Sequence, residues 1–444
     1  MKLIDKIPKY VLNIINELED NNYNTYLVGG CVRDLLLNRQ PKDYDITTSA
    51  LPEQIKELFS HVILTGEKHG TVTVVTDMEN VEVTTMRKDG IYKDNRHPET
   101  VEFTDDIVAD LSRRDFKINA IAINNKGEIK DPFNGIYDLK YKLIRAVGNP
   151  NLRFNEDALR MMRAVRFACQ LDFMINKDTA NSMFNNRYLI KNISAERIRD
   201  ELCKILISNS PALGIDLLRA TGLLNIILPE INNMVDFDQY NPNHDKNVYE
   251  HTLTVLNRVS NDITVRLSAL LHDVGKPLTF FLDENNVGHF YSHHMRGMDI
   301  ARDILQRLKF DSKTIETVCI LVKEHMSRYD FLRTSNIKKF INRVGIDNLD
   351  NLFELQIADI KASKPPHDIS SVLKLKEEVK KVIDEKQPLT VKDLKINGYV
   401  LMELGIKPGR EMGILLDEML ELVLENPELN NEGFLVDYAK ENLL

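Results

Sequence analysis

A predicted strand, turn and helix followed by two closely spaced aspartates constrain the fold of this chain more than any other feature. The apolar residues YLV before Gly29 and Gly30 predict a β-strand, and the residues after the glycines predict a helix. Glycines at such a turn let backbone amides approach phosphate groups closely. Asp43 and Asp45 follow, and residues two apart share one face of a strand. Two crowded carboxylates favour a divalent cation such as Mg2+, which prefers oxygen ligands.

Each of these two features alone has a plainer structural explanation. A Gly-Gly turn rarely binds phosphate, and an Asp-x-Asp pair is more often an acidic turn than a metal site. Together they resemble the signature of the DNA polymerase β-like nucleotidyltransferase superfamily, and that resemblance implies a head of mixed sheet and helices with a third carboxylate on a neighbouring strand. Glu82 is the candidate, because it alternates with Val81 and Val83 and so points away from the core.

Longer motifs narrow the choice to one family. The segment LVGGCVRDLLL with DYD, the segment RRDFKINA at 113–120 and the segment DPFNG at 131–135 together resemble class II tRNA nucleotidyltransferases. That family belongs to the DNA polymerase β-like superfamily and includes bacterial poly(A) polymerases. The resemblance extends over about residues 20–210. It implies a multidomain fold, in which an α/β (polymerase β-like) nucleotidyltransferase head is followed by an all-α neck, body and tail.

The same resemblance implies roles for individual residues. Asp43 and Asp45 are expected to hold Mg2+ and to act with Glu82 in catalysis. Arg114 and Asp115 are expected to contact the phosphates and ribose of the incoming nucleotide, since arginine binds phosphate in a planar fork and aspartate accepts from a hydroxyl. The expected nucleotide-binding residues are Gly29, Gly30, Arg33, Arg114, Asp115, Asn119, Asp157, Arg160, Arg163 and Arg166.

The segment EDALRMMRAVR at 156–166 predicts a basic helix that starts at residues 155–156. Charge alone favours an exposed arginine face, formed here by Asp157, Arg160, Arg163 and Arg166 on one side. In the family that the chain resembles, this element is a protein template for the incoming base. Asp157 would accept from the exocyclic amino group of C or A, and Arg160 would donate to ring acceptors. Selectivity for C and A over U and G follows from such edge recognition.

The polar segment from Met86 to Phe103 bears on which nucleotides are added. In CCA-adding relatives, a flexible loop at this place helps the pocket change from C to A addition, so its presence favours A addition. It does not separate a complete CCA-adding enzyme from an A-adding enzyme or a poly(A) polymerase. The expected function is addition of C, C and A to the tRNA acceptor arm from CTP and ATP, with those two enzymes as alternatives.

A second set of metal-binding residue types lies further along the chain. The segment ALLHDVGK, with histidines upstream and downstream, resembles HD-superfamily phosphohydrolases. That resemblance implies a divalent metal, Mn, Ni, Mg or Fe, which activates water against a phosphoester, and leaves His293 or His294 as one ligand. An inactive HD domain, and an HD phosphohydrolase whose head only binds RNA, are the alternatives. The expected ligands are His251, His272, Asp273, His293, His325 and Asp359.

Size and composition add further expectations. The chain has 444 residues and a net charge of -9. This charge argues against indiscriminate binding to the phosphate backbone of nucleic acids, and no DNA partner is expected. The lack of an apolar run of about 18 residues and of a signal-peptide core predicts a cytoplasmic protein without membrane contact. The predicted domains are a head at 1–145, a neck and nucleotide-template region at 146–245, an HD-type body at 246–365 and a helical tail at 366–444. The tail resembles the helices that contact the tRNA body in HD-containing relatives, and a plain helical cap is the alternative.

Overall fold

Two compact units make up the chain, residues 1–229 and residues 230–444. The structure is a computed structural model that describes residues 3–66, 70–90, 100–241, 245–327, 333–385 and 387–442. Among the helices in these ranges, none is long and apolar enough to cross a membrane.

A mixed β-sheet organises the first unit. Its strands, together with two flanking short pairs, are β1 (Thr25–Val28), β2 (Asp45–Thr48), β3 (Val62–Gly66), β4 (Thr71–Val75), β5 (Asn80–Thr85), β6 (Arg87–Asp89), β7 (Val101–Phe103), β8 (Ala122–Ile123), β9 (Ile129–Lys130), β10 (Leu143–Ile144) and β11 (Met174–Ile175). Within the described residues the main sheet has seven strands in the order β3-β4-β5-β2-β1-β8-β9. The chain runs antiparallel from β1 to β2, whereas β2 and β5 are parallel.

Helices cover the sheet and continue into an almost wholly helical region. Those of the first unit are α1 (Lys9–Asp20), α2 (Gly30–Leu36), α3 (Pro52–Leu58), α4 (Ile107–Ser112), α5 (Gly135–Lys140), α6 (Pro150–Glu156), α7 (Leu159–Leu171), α8 (Lys177–Asn186), α9 (Ala195–Leu206), α10 (Pro211–Ala220) and α11 (Leu224–Ile227), and α12 (Pro229–Asn232) follows. In α7, the apolar residues Met161, Met162, Val165 and Ala168 recur at helical spacing and are fully buried. Burial of this stripe fixes which side of α7 faces inward.

The second unit is helical apart from one short strand pair among its described residues. It contains α13 (Val248–Arg258), α14 (Ile263–Leu271), α15 (Lys276–Thr279), β12 (Phe281–Leu282), β13 (Gly288–His289), α16 (His293–Arg307), α17 (Ser312–Glu324), α18 (Thr334–Val344), α19 (Leu349–Ala362), α20 (Ser370–Asp384), α21 (Gly398–Glu403), α22 (Arg410–Glu425) and α23 (Glu432–Glu441). The tail has an apolar core of its own, in which Met419, Val423 and Leu435 are fully buried.

The predicted fold class is confirmed, with differences in detail. The head is a mixed sheet with helices and the rest is predominantly helical. The strand pairs β10-β11 and β12-β13 interrupt the predicted helical part. Between β12 and β13 the chain makes a turn, in which the Asn286 amide donates to the Asp283 carbonyl.

Candidate functional site

Three carboxylates meet at one end of the head sheet. Asp45 is the first residue of β2, and the parallel register of β2 with β5 places it opposite Glu82. Burial raises the pKa of Asp45 to about 6; the Arg114 guanidinium lowers it, and the charges of Asp43 and Glu82 raise it again. These interactions show that the carboxylates lie within electrostatic reach of one another.

One detail of the sequence prediction is wrong. Asp43 and Asp45 were expected to share a face by alternating along one strand, but β2 begins at Asp45 and Asp43 lies in the bend before it. The backbone of a bend has no two-residue period, so Asp43 is positioned by the turn and not by strand pleating. The prediction that Glu82 lies on a neighbouring strand is confirmed, since it pairs with Asp45 across β2 and β5.

The glycine turn lies directly against this acidic group. Gly29 has a φ of +79°, a conformation that strongly favours glycine. A Cβ atom at Gly29 would lie 2.9 Å from Nη1 of Arg114 and 3.4 Å from Oδ2 of Asp45. The turn therefore leaves open a cleft of about 240 Å³ whose lining includes Asp45, Glu82 and Arg114.

A buried aspartate that sequence reasoning missed positions the arginine pair. Asp110 is fully buried on α4, accepts a hydrogen bond from Arg113 at 2.7 Å and lies 3.5 Å from Nη2 of Arg114. Burial raises the pKa of Asp110, but the two guanidinium groups outweigh it and lower the pKa below its ordinary value. The signal in the sequence was the spacing of three and four residues from Asp110 to the two arginines.

Asp115 is the centre of a buried polar network that joins the head to α7. Its Oδ1 atom accepts from the Phe116 amide at 2.8 Å and from Nδ2 of Asn119 at 3.1 Å. Its Oδ2 atom accepts two hydrogen bonds from Arg163, at 2.6 and 2.8 Å. Arg33 donates in turn to Oδ1 of Asn119 at 2.9 Å. Four of the predicted nucleotide-binding residues thus form one connected network.

The charge state of Asp115 depends on this network. Burial opposes its ionisation, but Arg163 and the Asn119 amide outweigh burial and lower the pKa of Asp115 to about 2. Its stabilising contribution is therefore present above the unfolded-state pKa of about 3.9 and is lost as the pH falls toward 2.

An Arg163→Gln variant tests that contribution. The unfolding free energy at pH 7 should fall by about 3 kcal/mol, the lower end of the range for breaking a buried pair, because Arg163 is 34% exposed. The difference in melting temperature between variant and wild type should then narrow as the pH is lowered through 4. Arg219→Gln, which removes an ion pair between two half-exposed side chains, is the matched control. A difference that stays constant down to acid pH would contradict the assignment.

The predicted template residues lie where two helices meet. Helix α7 begins at Leu159, later than the predicted start at residues 155–156, because α6 continues to Glu156 and Asp157 caps its end. Asp157 accepts from the Leu159 amide at 3.0 Å and from Nη2 of Arg197 at 2.9 Å. Arg160 donates to Oε2 of Glu156 at 2.8 Å and to the Arg113 carbonyl at 3.0 Å. Both side chains are thus held in place, although Asp157 does not lie on the helix itself.

The alternative that charge alone favoured, an exposed arginine face, does not describe α7. Arg163 pairs with Asp115, and Arg166 donates to Oε2 of Glu201 at 2.7 Å. The guanidinium of Arg166 also lies 4.2 Å from the centre of the Phe167 ring. Acidic side chains from distant segments therefore pair with these arginines. The ion pairs stabilise the site and, within the described residues of α7, leave no exposed basic face.

In the second unit, six side chains converge, with the carboxylate of Asp273 among them. Asp273 Oδ2 lies 3.2 Å from Nε2 of His272 and 3.7 Å from Nε2 of His251, and its Oδ1 lies 3.4 Å from Nε2 of His293 and 3.9 Å from Nε2 of His325. Asp359 Oδ1 lies 3.0 Å from Nε2 of His251. All six, which we call the HD cluster, are buried: His251, His272, Asp273, His293, His325 and Asp359.

The backbone turns three of these imidazoles so that Nε2 faces inward. The Nδ1 atoms of His272, His293 and His325 lie 2.9, 2.8 and 2.7 Å from the carbonyl oxygens of Ala269, Phe290 and Val322. A proton on Nδ1 that is donated to a carbonyl leaves the Nε2 lone pair free, as in metal-ligating histidines. Burial, with the neighbouring His272 and His293, lowers the pKa of His325 to about 3 and keeps it neutral. The cluster fits a divalent cation.

Two neighbours of the HD cluster were not predicted. The buried Lys276 donates to Asp273 Oδ2 at 2.7 Å and to Oε1 of Gln239 at 2.8 Å. Gly275 allows a close approach, because a Cβ there would lie 2.2 Å from the His293 carbonyl oxygen. The segment HDVGK signalled both residues, since they follow His272-Asp273 directly.

Comparison with known proteins agrees with this arrangement. The family model described as poly A polymerase head domain matches residues 25–145, that described as probable RNA and SrmB-binding site of polymerase A matches 172–235, and that described as HD domain matches 244–360. A CCA-adding enzyme of Ligilactobacillus salivarius is 33% identical over 451 residues, which cover 99% of each chain. The chain belongs to the CCA-adding enzyme family.

Other CCA-adding enzymes extend the comparison. The enzyme of Limosilactobacillus reuteri is 33% identical and covers 96% of this chain and 95% of its own. The structure of the Bacillus stearothermophilus CCA-adding enzyme in complex with CTP matches 97% of this chain and 96% of its own, with a TM-score of 0.70 and 29% identity. The Thermotoga maritima CCA-adding enzyme complexed with tRNA shares the fold, with a TM-score of 0.56 and 21% identity. This chain is therefore a nucleotidyltransferase of the CCA-adding enzyme family that carries an HD domain.

The loop predicted to permit A addition is described only at its ends. Strands β6 and β7 pair antiparallel, with Arg87 opposite Phe103 and Asp89 opposite Val101. Residues 91–99, which belong to this loop, lie outside the described residues. Its role in A addition stays a prediction.

Proposed function

We propose that the protein completes the 3′ end of tRNA by adding C, C and A from CTP and ATP without a nucleic-acid template. The observation that carries the proposal is the register that sets Asp45 opposite Glu82, beside Gly29 and Arg114, in a chain whose relatives are CCA-adding enzymes along their whole length. The complex of the Bacillus stearothermophilus relative with CTP supports CTP as one substrate.

The carboxylates Asp43, Asp45 and Glu82 fit Mg2+. Carboxylate oxygens suit this ion. Burial, with a smaller effect from the charges of Asp43 and Glu82, raises the pKa of Asp45, and a bound cation would favour its ionised form. When bound, Mg2+ supplies positive charge against the phosphates during transfer. Glu82 takes the proton of the RNA 3′-hydroxyl, whose oxygen forms a bond to the α-phosphorus while the bond to the β-phosphate breaks and pyrophosphate leaves. Arg114 binds phosphate oxygens of the incoming nucleotide.

Base selection is assigned to Asp157 and Arg160. Asp157 accepts from the exocyclic amino group that C and A share, and Arg160 donates to the adjoining ring acceptor. The hydrogen bonds that hold Asp157 to Arg197 and Arg160 to Glu156 support this proposal, because they fix both side chains without a nucleic-acid strand. Asp115 and the network through Asn119, Arg33 and Arg163 would position the ribose, and Arg166 supports α7 from behind.

Incubation of the purified protein with tRNA that ends before CCA tests the proposal. With CTP and ATP together, two C and one A should be added and the reaction should then stop, and UTP and GTP should be used far less. Addition of A to a tRNA that already ends in CC, without C addition, would instead identify an A-adding enzyme. Long A tracts would identify a poly(A) polymerase.

The HD cluster favours a second activity, hydrolysis of a phosphoester at a damaged RNA end, such as a 2′,3′-cyclic phosphate. Four imidazoles and two carboxylates suit Mn, Ni, Mg or Fe, any of which would activate water when bound. Lys276 beside Asp273 would attract the phosphate. Assays of phosphoester hydrolysis with each metal in turn identify the ion.

Other expectations stay predictions. They are the domain boundaries, the contact of the tail with the tRNA body and the cytoplasmic location.

A further inference from the structure

A short hairpin beside the HD cluster carries three aromatic rings on one face. Phe281 pairs with His289 across β12 and β13, and Tyr291 follows His289 by two residues. The ring centres lie 5.3 Å apart for Phe281 and His289, 5.4 Å for His289 and Tyr291, and 5.4 Å for Phe281 and Tyr291. Tyr291 is 69% exposed and Phe281 43%. We call these three residues the aromatic platform.

The opposite face of the hairpin is packed, which holds the aromatic platform in place. The Phe280 ring lies 5.3 Å from the Phe237 ring and 5.5 Å from the Phe290 ring. The Gly288 amide donates to the Tyr240 carbonyl at 2.7 Å, so close that a Cβ at Gly288 would clash with the neighbouring backbone. Because one face is anchored in this way, the exposure of the other face is a fixed feature of the fold.

The His289 ring is also held in orientation. Its Nε2 atom lies 2.9 Å from Oδ2 of Asp283 at the turn of the hairpin. The ring planes of His289 and Tyr291 are inclined by 12°, so the two rings are stacked. An exposed stack of this kind presents a flat apolar surface to any planar group that enters.

Two residues of the aromatic platform, His289 and Tyr291, line the same cavity as the HD cluster. The volume of this cavity is about 740 Å³, and its walls also include Asp273, His293 and His325. Tyr291 precedes His293 by two residues, which span at most about 7 Å of extended chain. Lys276 and Lys364 are on the same walls and add positive charge. One ligand can therefore contact a stacking surface and a phosphate-attracting metal-type site together.

We propose that the aromatic platform binds the base of a nucleotide whose 2′- or 3′-phosphate faces the HD cluster. Stacking on aromatic side chains serves every base, so the platform accepts different bases. This inference rests on the proposed phosphohydrolase function of the HD cluster and assigns the residues that hold the base of its substrate.

A tryptophan reporter tests the inference by binding alone. The chain contains no tryptophan, so Tyr291→Trp in the full-length protein places a single indole in the platform and keeps a stacking ring. Adenosine 3′-monophosphate should quench its fluorescence to saturation, adenosine should bind roughly tenfold more weakly, and glycerol 2-phosphate should cause no change. Tyr399→Trp, at a tyrosine that is 75% exposed on α21, should show no quenching.

The outcomes separate the two proposals. Quenching that is absent, equal for adenosine and its 3′-phosphate, or equal in the Tyr399→Trp control overturns the platform assignment, whether or not the protein hydrolyses phosphoesters. Quenching by the nucleotide without hydrolysis under any metal supports the platform and overturns the phosphohydrolase function. A trinucleotide with a 3′-phosphate that binds more tightly than the mononucleotide identifies an RNA end as the ligand, whereas equal affinity identifies the free nucleotide.

Discussion

Asp45→Asn is expected to lower the rate of nucleotide addition by about a thousandfold, the scale of losing a principal electrostatic contact at a transition state. The melting temperature should not fall. Burial raises the pKa of Asp45 to about 6, so above that pH the folded protein holds a carboxylate in its less favoured, ionised form. Asparagine carries no charge and so removes this cost. The free energy of unfolding of Asp45→Asn should therefore equal or exceed that of the wild type.

The measurement pairs single-turnover addition of C to tRNA with thermal unfolding at pH 8. Asp77→Asn is the matched control, since Asp77 is an exposed aspartate in the same unit and should change neither quantity. Near-normal addition by Asp45→Asn would remove the central carboxylate from the proposed mechanism. A large loss of melting temperature would show that Asp45 serves the fold, contrary to the direction of its pKa.

Structural features that depend only on residues close together in the chain were predictable from the sequence. The alternation at 81–83 is confirmed, because Val81 and Val83 are buried and Glu82 is exposed. The turn at Gly29 is confirmed by its positive φ and its close approach to Asp45. In each case the chain itself sets the period or the turn, so the residues needed for the prediction lie within a few positions of one another.

Contacts between distant segments were not predictable in the same way. Spacing and charge alone favour an exposed basic face that includes Arg163 and Arg166, but their partners Asp115 and Glu201 are 48 and 35 residues away. Only the packing of α7 against the head and α9 brings these charges together. The helical period shows which residues lie on the same side of a helix, but only the tertiary fold determines which residues that side contacts.

The choice between His293 and His294 shows a third limit. The sequence alone does not show which of two adjacent histidines belongs to the HD cluster. The backbone conformation at the start of α16 determines it. Ser292 has a φ of 59°, and the helix that starts at His293 turns that ring so that its Nδ1 atom reaches the Phe290 carbonyl. Nε2 of His293 then lies 3.3 Å from Nε2 of His325, inside the HD cluster.

Asp273→Asn is expected to abolish phosphoester hydrolysis and metal binding while nucleotide addition continues. Asp273 approaches four imidazoles and Lys276, so removing its charge takes away the one carboxylate that all of them share. The amide keeps the volume of the side chain and still accepts from Lys276, which limits the cost to folding. Hydrolysis should fall by about a thousandfold or more, as expected for loss of a metal-activated water.

Metal content of the purified protein, hydrolysis of a 2′,3′-cyclic phosphate and addition of CCA to tRNA are measured on the same preparations. Asp283→Asn, beside the hairpin and half-buried, keeps the HD cluster intact and should retain its metal. Nucleotide addition by Asp273→Asn within about twofold of the wild type shows that the head is folded, and its loss in Asp43→Ala assigns the two reactions to separate units. Full metal content and hydrolysis in Asp273→Asn would contradict a metal site built on this carboxylate, because Asp273 lies within 3.9 Å of Nε2 of all four histidines.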